Sequence, residues 1–174
     1  MIETIIRWLS SFFGWEEEAY VESVVATVKE VVPTSSEILY KVSVESIGKE
    51  MSPQDLASDE VACVESLEGV IHKAFGFYVG GEKPMLATWL FLDALRADER
   101  FEEIEKGGVG DIILCPTGTG NGNVRGHVGI LGNYQIMSNN SYTSFWDASF
   151  THDTWYNRYQ LRGDLDVHFF RIKV

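Results

Sequence analysis

The spacing of apolar residues changes from helical to alternating near residue 110 of the 174-residue chain. Before this point apolar positions recur every three or four residues, which predicts helices over 2–13, 16–32, 37–47, 58–75, 85–95 and 98–104. Beyond it, short alternating runs predict strands over 110–115, 127–131, 135–139 and 166–172, a loop over 142–150 and a short helix over 151–158. Helices followed by an antiparallel sheet are typical of an α+β fold.

The first 34 residues are predicted to be an appendage to a domain that spans 35–174. Pro33 and the polar residues after it end one apolar pattern and cap the next. Residues 2–13 form a strongly amphipathic pattern flanked by Trp8 and Trp15. Such a helix binds a membrane surface or a partner, or it docks on its own domain or on a second copy of the chain. Arg7 is its one basic residue, which weakens the membrane interpretation.

Composition limits the classes of partner. A hydrophobic content of 45% suits one domain with a real core, while a formal net charge of -12 argues against nucleic acid, anionic membranes and anionic wall polymers as electrostatic partners. The sequence shows no transmembrane stretch and no secretory signal, so it predicts a soluble protein made in the cytoplasm. Two distant cysteines do not make a disulfide framework. No clustered metal-binding motif occurs, and we expect neither a metal nor another cofactor.

One cysteine and one histidine are placed for nucleophilic chemistry. Cys63 lies near the start of a predicted helix, where the helix dipole favours a thiolate. His127 opens the first strand of a predicted hairpin and is a candidate base. Asn139, at the end of the second strand, is the preferred residue to hold the imidazole, with Ser138 and Asn140 as rivals because a one-residue change of register exchanges the faces. On spacing alone, a small buried hydrophobe is the more usual interpretation of Cys63.

Other polar and aromatic groups give weaker indications. Cys115 ends an apolar strand and is interpreted as a core residue. The glycine-rich loop at 117–122 carries no lysine and precedes a strand, so it suits the rim of a cleft better than a phosphate site. Five aromatic residues suit either stacking on sugar rings or filling of the core: Tyr142, Trp146, Trp155, Tyr156 and Tyr159.

Four short segments together resemble the CHAP and NlpC/P60 superfamily of cysteine peptidases and amidases, and phage-type, endolysin-like members in particular. These segments are Ala62–Ser66, Gly110–Ile113, Gly126–Ile130 and Ile136–Asn139, and the resemblance covers about residues 36–174. It implies a papain-like α+β core that cleaves amide bonds of peptidoglycan. It also implies that Cys63 is the nucleophile, that His127 is the general base and that Asn139 falls near the third polar residue. Ala62 departs from the family, in which a polar residue often precedes the cysteine.

The sequence therefore predicts a peptidoglycan hydrolase with Cys63, His127 and Asn139 as catalytic residues. Two alternatives stay open. One is a non-catalytic binding or virion-structural module on the same fold, and the other is a papain-like amidase or acyltransferase that acts on a substrate outside the wall.

Overall fold

The computed structural model describes residues 32–52, 62–120 and 124–174, and Thr34–Val174 form one compact unit. Four α-helices occur in these ranges: α1 (Ser35–Glu45), α2 (Cys63–Phe75), α3 (Thr88–Ala97) and α4 (His152–Tyr156), the last continued by one π-helical turn over Asn157–Leu161. The predicted appendage 1–34 lies almost entirely outside the described residues and stays a prediction. Within the described ranges, no helix has the length and apolarity needed to cross a membrane.

The strands of the described chain form one antiparallel sheet of six, in the order β1-β6-β2-β3-β4-β5. They are β1 (Phe101–Ile104), β2 (Ile112–Cys115), β3 (His127–Leu131), β4 (Gln135–Asn139), β5 (Trp146–Thr151) and β6 (His168–Ile172). The predicted hairpin 127–131 and 135–139 is confirmed with its bounds, and so is the α+β class.

Helix α2 is the central helix of the domain and packs on β3 and β4. Val64, Leu67, Val70 and Ile71 recur at helical spacing and are fully buried, and Gly76 ends the helix in a left-handed conformation. Burial of this stripe holds the first residue of α2 against the sheet. This is the arrangement expected of a papain-like core, with a cysteine helix facing a sheet that carries a histidine.

A buried carboxylate joins α2 to the segment that leads into α3. The Oε2 atom of Glu68 accepts a hydrogen bond from the Val79 N–H at 2.8 Å, and its Oε1 atom accepts one from the Met85 N–H at 3.3 Å. Burial raises the pKa of Glu68 to about 7, although these N–H donors oppose the shift. Glu68 thereby fixes the start of α3, which forms one wall of the candidate site.

The Gly110–Asp111 pair fixes the other end of the domain. Gly110 has a φ of +85°, and a β-carbon at this position would lie 1.9 Å from the carbonyl oxygen of Ser36. The buried Asp111 carboxylate accepts hydrogen bonds from the Ser36 hydroxyl, the Gly108 N–H and the Arg171 guanidinium. One side chain therefore ties the start of α1 to β2 and β6.

Two predicted elements were wrong because pairing across the sheet overrides local pattern. Residues 98–104, predicted as a helix, contain strand β1, in which Phe101 pairs with Ile172 of β6. Residues 142–150, predicted as a loop, include most of β5, where Trp146 pairs with Asn139.

Three apolar side chains within the predicted helices 37–47 and 85–95, whose helical spacing predicts burial, are exposed. Ile47 lies beyond the end of α1, and Trp89 and Leu90 lie on the open side of α3, where the Trp89 side chain is 52% exposed. Helical periodicity marks these positions as apolar but does not show which apolar face meets the core.

Candidate active site

Cys63 is the first residue of α2, and its sulfur lies among main-chain donors. Ala62, the N-cap residue, supplies no side-chain hydrogen bond to the helix. The N–H groups of Val64, of Val128 on β3 and of Cys63 itself instead lie close to the sulfur and act to lower the pKa of the thiol. These donors favour the thiolate, and they also suit an oxyanion that develops beside the sulfur.

The sheet opens where the cysteine approaches it. The described hairpin pairs Ile130 with Met137 and Leu131 with Ile136, and its ladder does not extend to His127 and Asn139. On their other sides, His127 pairs with Cys115 of β2 and Asn139 pairs with Trp146 of β5. The Val128 N–H turns to the Cys63 sulfur, and the Asn139 main chain turns to the His127 imidazole.

The His127 ring lies in an aromatic setting. Its centroid is 5.3 Å from that of Trp155, 5.5 Å from that of Tyr159 and 5.7 Å from that of Phe150. Burial, assisted by the positive charge of Arg158, lowers the pKa of His127 to about 3, and the Asn139 main chain opposes the shift. The imidazole is thus neutral and able to accept a proton over the physiological range.

The Cys63 thiol is also neutral in the empty cleft. Burial raises its pKa to about 11 and outweighs the three N–H donors around the sulfur. A neutral thiol beside a neutral imidazole differs from a preformed thiolate–imidazolium pair. Any attack by this sulfur must therefore be accompanied by transfer of its proton to a base.

Asn139 reaches the histidine through its main chain, while its side chain contacts α2. The Oδ1 atom of Asn139 accepts a hydrogen bond from the Ser66 hydroxyl at 3.2 Å. Of the two rivals, Asn140 lines the same cleft, but its amide donates to Asp147 at 3.1 Å and its Oδ1 accepts from the Tyr142 N–H. Ser138 is fully buried and does not line the cleft. The catalytic role of the third residue stays a prediction.

Cys63, His127 and Asn139 line one cleft of about 530 Å³. Its walls come from the start of α3, the loop before β3, the loop after β4 and the π-helical turn. Sequence reasoning missed several of these wall residues: Leu86, Thr88, Trp89, Arg125 and Arg158. Predicted residues among them include Thr117 on the glycine-rich rim and the aromatic side chains of Tyr142 and Tyr159.

Threonine hydroxyls position the strand that carries the histidine. The Thr88 Oγ1 atom accepts from the Thr117 N–H at 2.9 Å, and the Thr117 Oγ1 atom accepts from the Gly126 N–H at 2.8 Å. Gly126 leaves no room for a side chain, because a β-carbon would lie 2.2 Å from the Cys115 carbonyl oxygen. This chain of contacts fixes the backbone directly before His127.

The other cysteine, the other histidines and the buried tryptophans have structural contacts, and Trp155 packs beside the His127 ring. Cys115 is buried in an apolar cluster with Ile113 and Trp155, and burial raises its pKa to about 12. Trp146 and Trp155 are fully buried, whereas Tyr142 is almost fully exposed at the mouth of the cleft. His168 pairs with Glu103, and His152 contacts the Gly132 carbonyl. The described ranges hold no group of three His, Cys, Asp or Glu side chains that suits a metal ion.

Comparison with solved structures gives a structural likeness. No protein-family model matches the chain, and no curated protein sequence matches it. The crystal structure of the type VI native effector–immunity complex Tae3–Tai3 from Ralstonia pickettii contains a similar chain, with a TM-score of 0.51 and 14% sequence identity. The match covers 79% of this chain and 98% of that chain. At this identity the likeness shows a shared fold.

Proposed function

We propose that this protein is a cysteine hydrolase that cleaves amide bonds of peptidoglycan, in the manner of the phage-type enzymes that its motifs resemble. The observation that carries the proposal is the convergence of Cys63, at the start of α2, with His127 and Asn139 in one open cleft. The N–H groups of Cys63, Val64 and Val128 around the sulfur support it.

The proposed reaction has two steps. The Cys63 sulfur attacks the amide carbonyl carbon while His127 accepts the thiol proton, and the oxyanion binds the N–H of Cys63. His127 then gives this proton to the departing amine and leaves a thioester. In the second step His127 takes a proton from water, the hydroxide attacks the thioester, and the acid product leaves as the thiol regains a proton. Asn139 orients the imidazole throughout.

Digestion of purified cell walls tests this proposal. Cys63→Ala is expected to reduce the release of new amines by at least about 1000-fold, since the variant has no nucleophile. Cys115→Ala is the matched control, because Cys115 does not line the cleft and its pairing with His127 uses main-chain groups that the substitution keeps. Equal amine release by the wild type and by Cys63→Ala would refute the proposal.

A specific observation favours a second candidate function. The resting thiol and imidazole are both neutral, as in a site retained for packing in a non-catalytic binding module. The rate of alkylation by iodoacetamide separates the two. In a hydrolase, His127 accepts the thiol proton, so His127→Ala is expected to slow the alkylation of Cys63 further. A slow rate that His127→Ala leaves unchanged favours the binding module.

A further inference from the structure

A second cavity adjoins the candidate active site. It has a volume of about 680 Å³ and shares Arg125, Phe150 and Arg158 with the cleft, while Arg162 lines its far side. No Asp or Glu occurs among the described residues that line either cavity. In a chain with a net charge of -12, three arginines around one carboxylate-free cavity are an exception to the general charge distribution.

These arginines differ from the others in the described part of the chain. Arg96, Arg100 and Arg171 each form an ion pair with a nearby carboxylate. Within the same described residues, the three arginines that line the cavity make no such pair. Their charges are therefore available to a ligand.

The cavity also has walls that suit an amino-acid residue. The Arg158 guanidinium lies 5.9 Å from the ring centroid of Phe150 and 5.5 Å from that of Tyr159, so the aromatic faces hold its position. Arg158 and Arg162 lie one turn apart and repel each other when no anion is present. A carboxylate relieves this repulsion and matches the planar donor fork of a guanidinium.

We propose that this cavity binds a free carboxylate of the substrate, carried by the residue on the amine side of the scissile amide. The inference rests on the proposed function and narrows it to peptides with an acidic residue after the cleaved bond. The amine side follows from proximity, because Phe150 lines the cavity with its ring centroid 5.7 Å from that of His127, and His127 returns the proton to the departing amine. The charge of Arg158 also acts directly on the His127 ring.

Binding of the carboxylate has a consequence for the base. The anion cancels the charge that disfavours the imidazolium, so the pKa of His127 rises when the substrate is bound. Proton transfer from Cys63 becomes easier in the complex than in the free protein. An acidic substrate thus assists its own cleavage.

Binding to the full chain carrying Cys63→Ala tests the inference without hydrolysis. The probes are N-acetyl-L-alanyl-D-glutamate and its diamide, with inorganic phosphate as a third ligand. We expect the acid to bind at least about tenfold more tightly than the diamide. We also expect Arg158→Gln with Arg162→Gln to remove this preference, and the NMR titration of His127 to show a higher pKa in the acid complex.

The control is Lys106→Gln with Lys173→Gln, which removes two exposed charges outside both cavities and is expected to keep the preference. Equal binding of acid and diamide, no binding of the acid at millimolar concentration, or a preference that survives loss of both arginines would overturn the inference. Tighter binding of phosphate than of the acid would overturn it in favour of an inorganic-anion site. An acid preference without cleavage of walls by the wild type overturns the proposed function alone.

Discussion

At the scale of single residues, the candidate site depends on main-chain groups as much as on side chains. The Cys63 sulfur is surrounded by three N–H groups, and the main chain of Asn139 contacts the His127 ring. Main-chain groups are held by the secondary structure on which they lie, so they keep their positions when a neighbouring side chain is changed. The surroundings of the Cys63 sulfur and of the His127 ring are thus fixed by the secondary structure.

Substitution of Asn139 tests this reliance on the main chain. Asn139→Ala keeps the carbonyl that faces His127 and removes the side chain that accepts from Ser66. We expect less than about tenfold loss of kcat/KM on wall fragments, against about 100-fold to 10,000-fold for His127→Ala. An equal loss in the two variants would show that the Asn139 side chain orients the ring.

At the scale of elements, a few contacts between distant segments set the position of the site. Gly110 lets β2 begin directly against α1, and Glu68 joins α2 to the approach to α3. The contact at Gly110 requires a glycine, because of the positive φ and the close approach of Ser36, and the contact at Glu68 requires a buried hydrogen-bond acceptor. Both are therefore sensitive to conservative substitutions.

Gly110→Ala is expected to destabilise the domain by roughly 3 kcal/mol or more, because it adds a clash with the Ser36 carbonyl to the cost of a positive φ. Gly81→Ala is the matched control, since Gly81 has a φ of +103° and an added β-carbon there would meet no atom within 4 Å. The control is expected to lose about 1 kcal/mol in urea unfolding. Similar losses in both variants would mean that the contact with Ser36 adjusts without cost.

Glu68 makes stability depend on pH. Its pKa is about 7 in the fold and near 4.5 when unfolded, so the folded state binds more protons between these values. The free energy of unfolding should therefore fall as pH rises through this window, by roughly 2–3 kcal/mol from this one group. Glu68→Gln should remove this contribution, as measured by urea unfolding at several pH values.

The lowered pKa of His127 acts in the opposite direction, because the unfolded state binds more protons between about pH 3 and 6.5. This contribution is common to the wild type and Glu68→Gln, so it cancels in their difference. The exposed Glu105→Gln should behave like the wild type. A difference between wild type and Glu68→Gln that does not change with pH would contradict the assignment.

The sequence predicted elements whose partners are close in the chain better than elements whose partners are distant in the chain. Hairpin β3–β4 was predictable because its alternation and its turn lie within 13 consecutive residues, His127 to Asn139. Strand β1 was not, because its partner β6 lies at the other end of the domain. The meeting of Cys63 with His127 was expected from motif resemblance. The arginine cavity combines the loop before β3 with β5, α4 and the π-helical turn, and it left no pattern in the chain.

At the scale of the whole molecule, the chain carries an excess of negative charge, while the candidate site and its neighbouring cavity are lined by positive charges. The chain as a whole carries a net charge of -12, yet the cleft and its neighbouring cavity are lined by arginines without carboxylates in the described ranges. A polyanionic wall is repelled at long range, and a single carboxylate is attracted at short range. The two effects respond differently to ionic strength.

Salt is therefore expected to favour the intact wall as a substrate. Raising ionic strength from about 0.01 to about 0.15 M shortens the Debye length from about 30 to about 8 Å, which screens the long-range repulsion. The ratio of the cleavage rate on intact walls to that on a short soluble acidic fragment should rise severalfold over this range. A ratio that is constant or falls would show that net charge does not limit access.

The contact between the Asn139 main chain and the His127 ring determines which residues of the candidate site a mutational scan can identify. An alanine scan exchanges side chains and leaves every peptide carbonyl in place, so it would report a dyad of cysteine and histidine. The role of the Asn139 carbonyl would be tested by chemical synthesis instead. An ester in place of the peptide bond that follows Asn139 weakens this carbonyl as a hydrogen-bond acceptor.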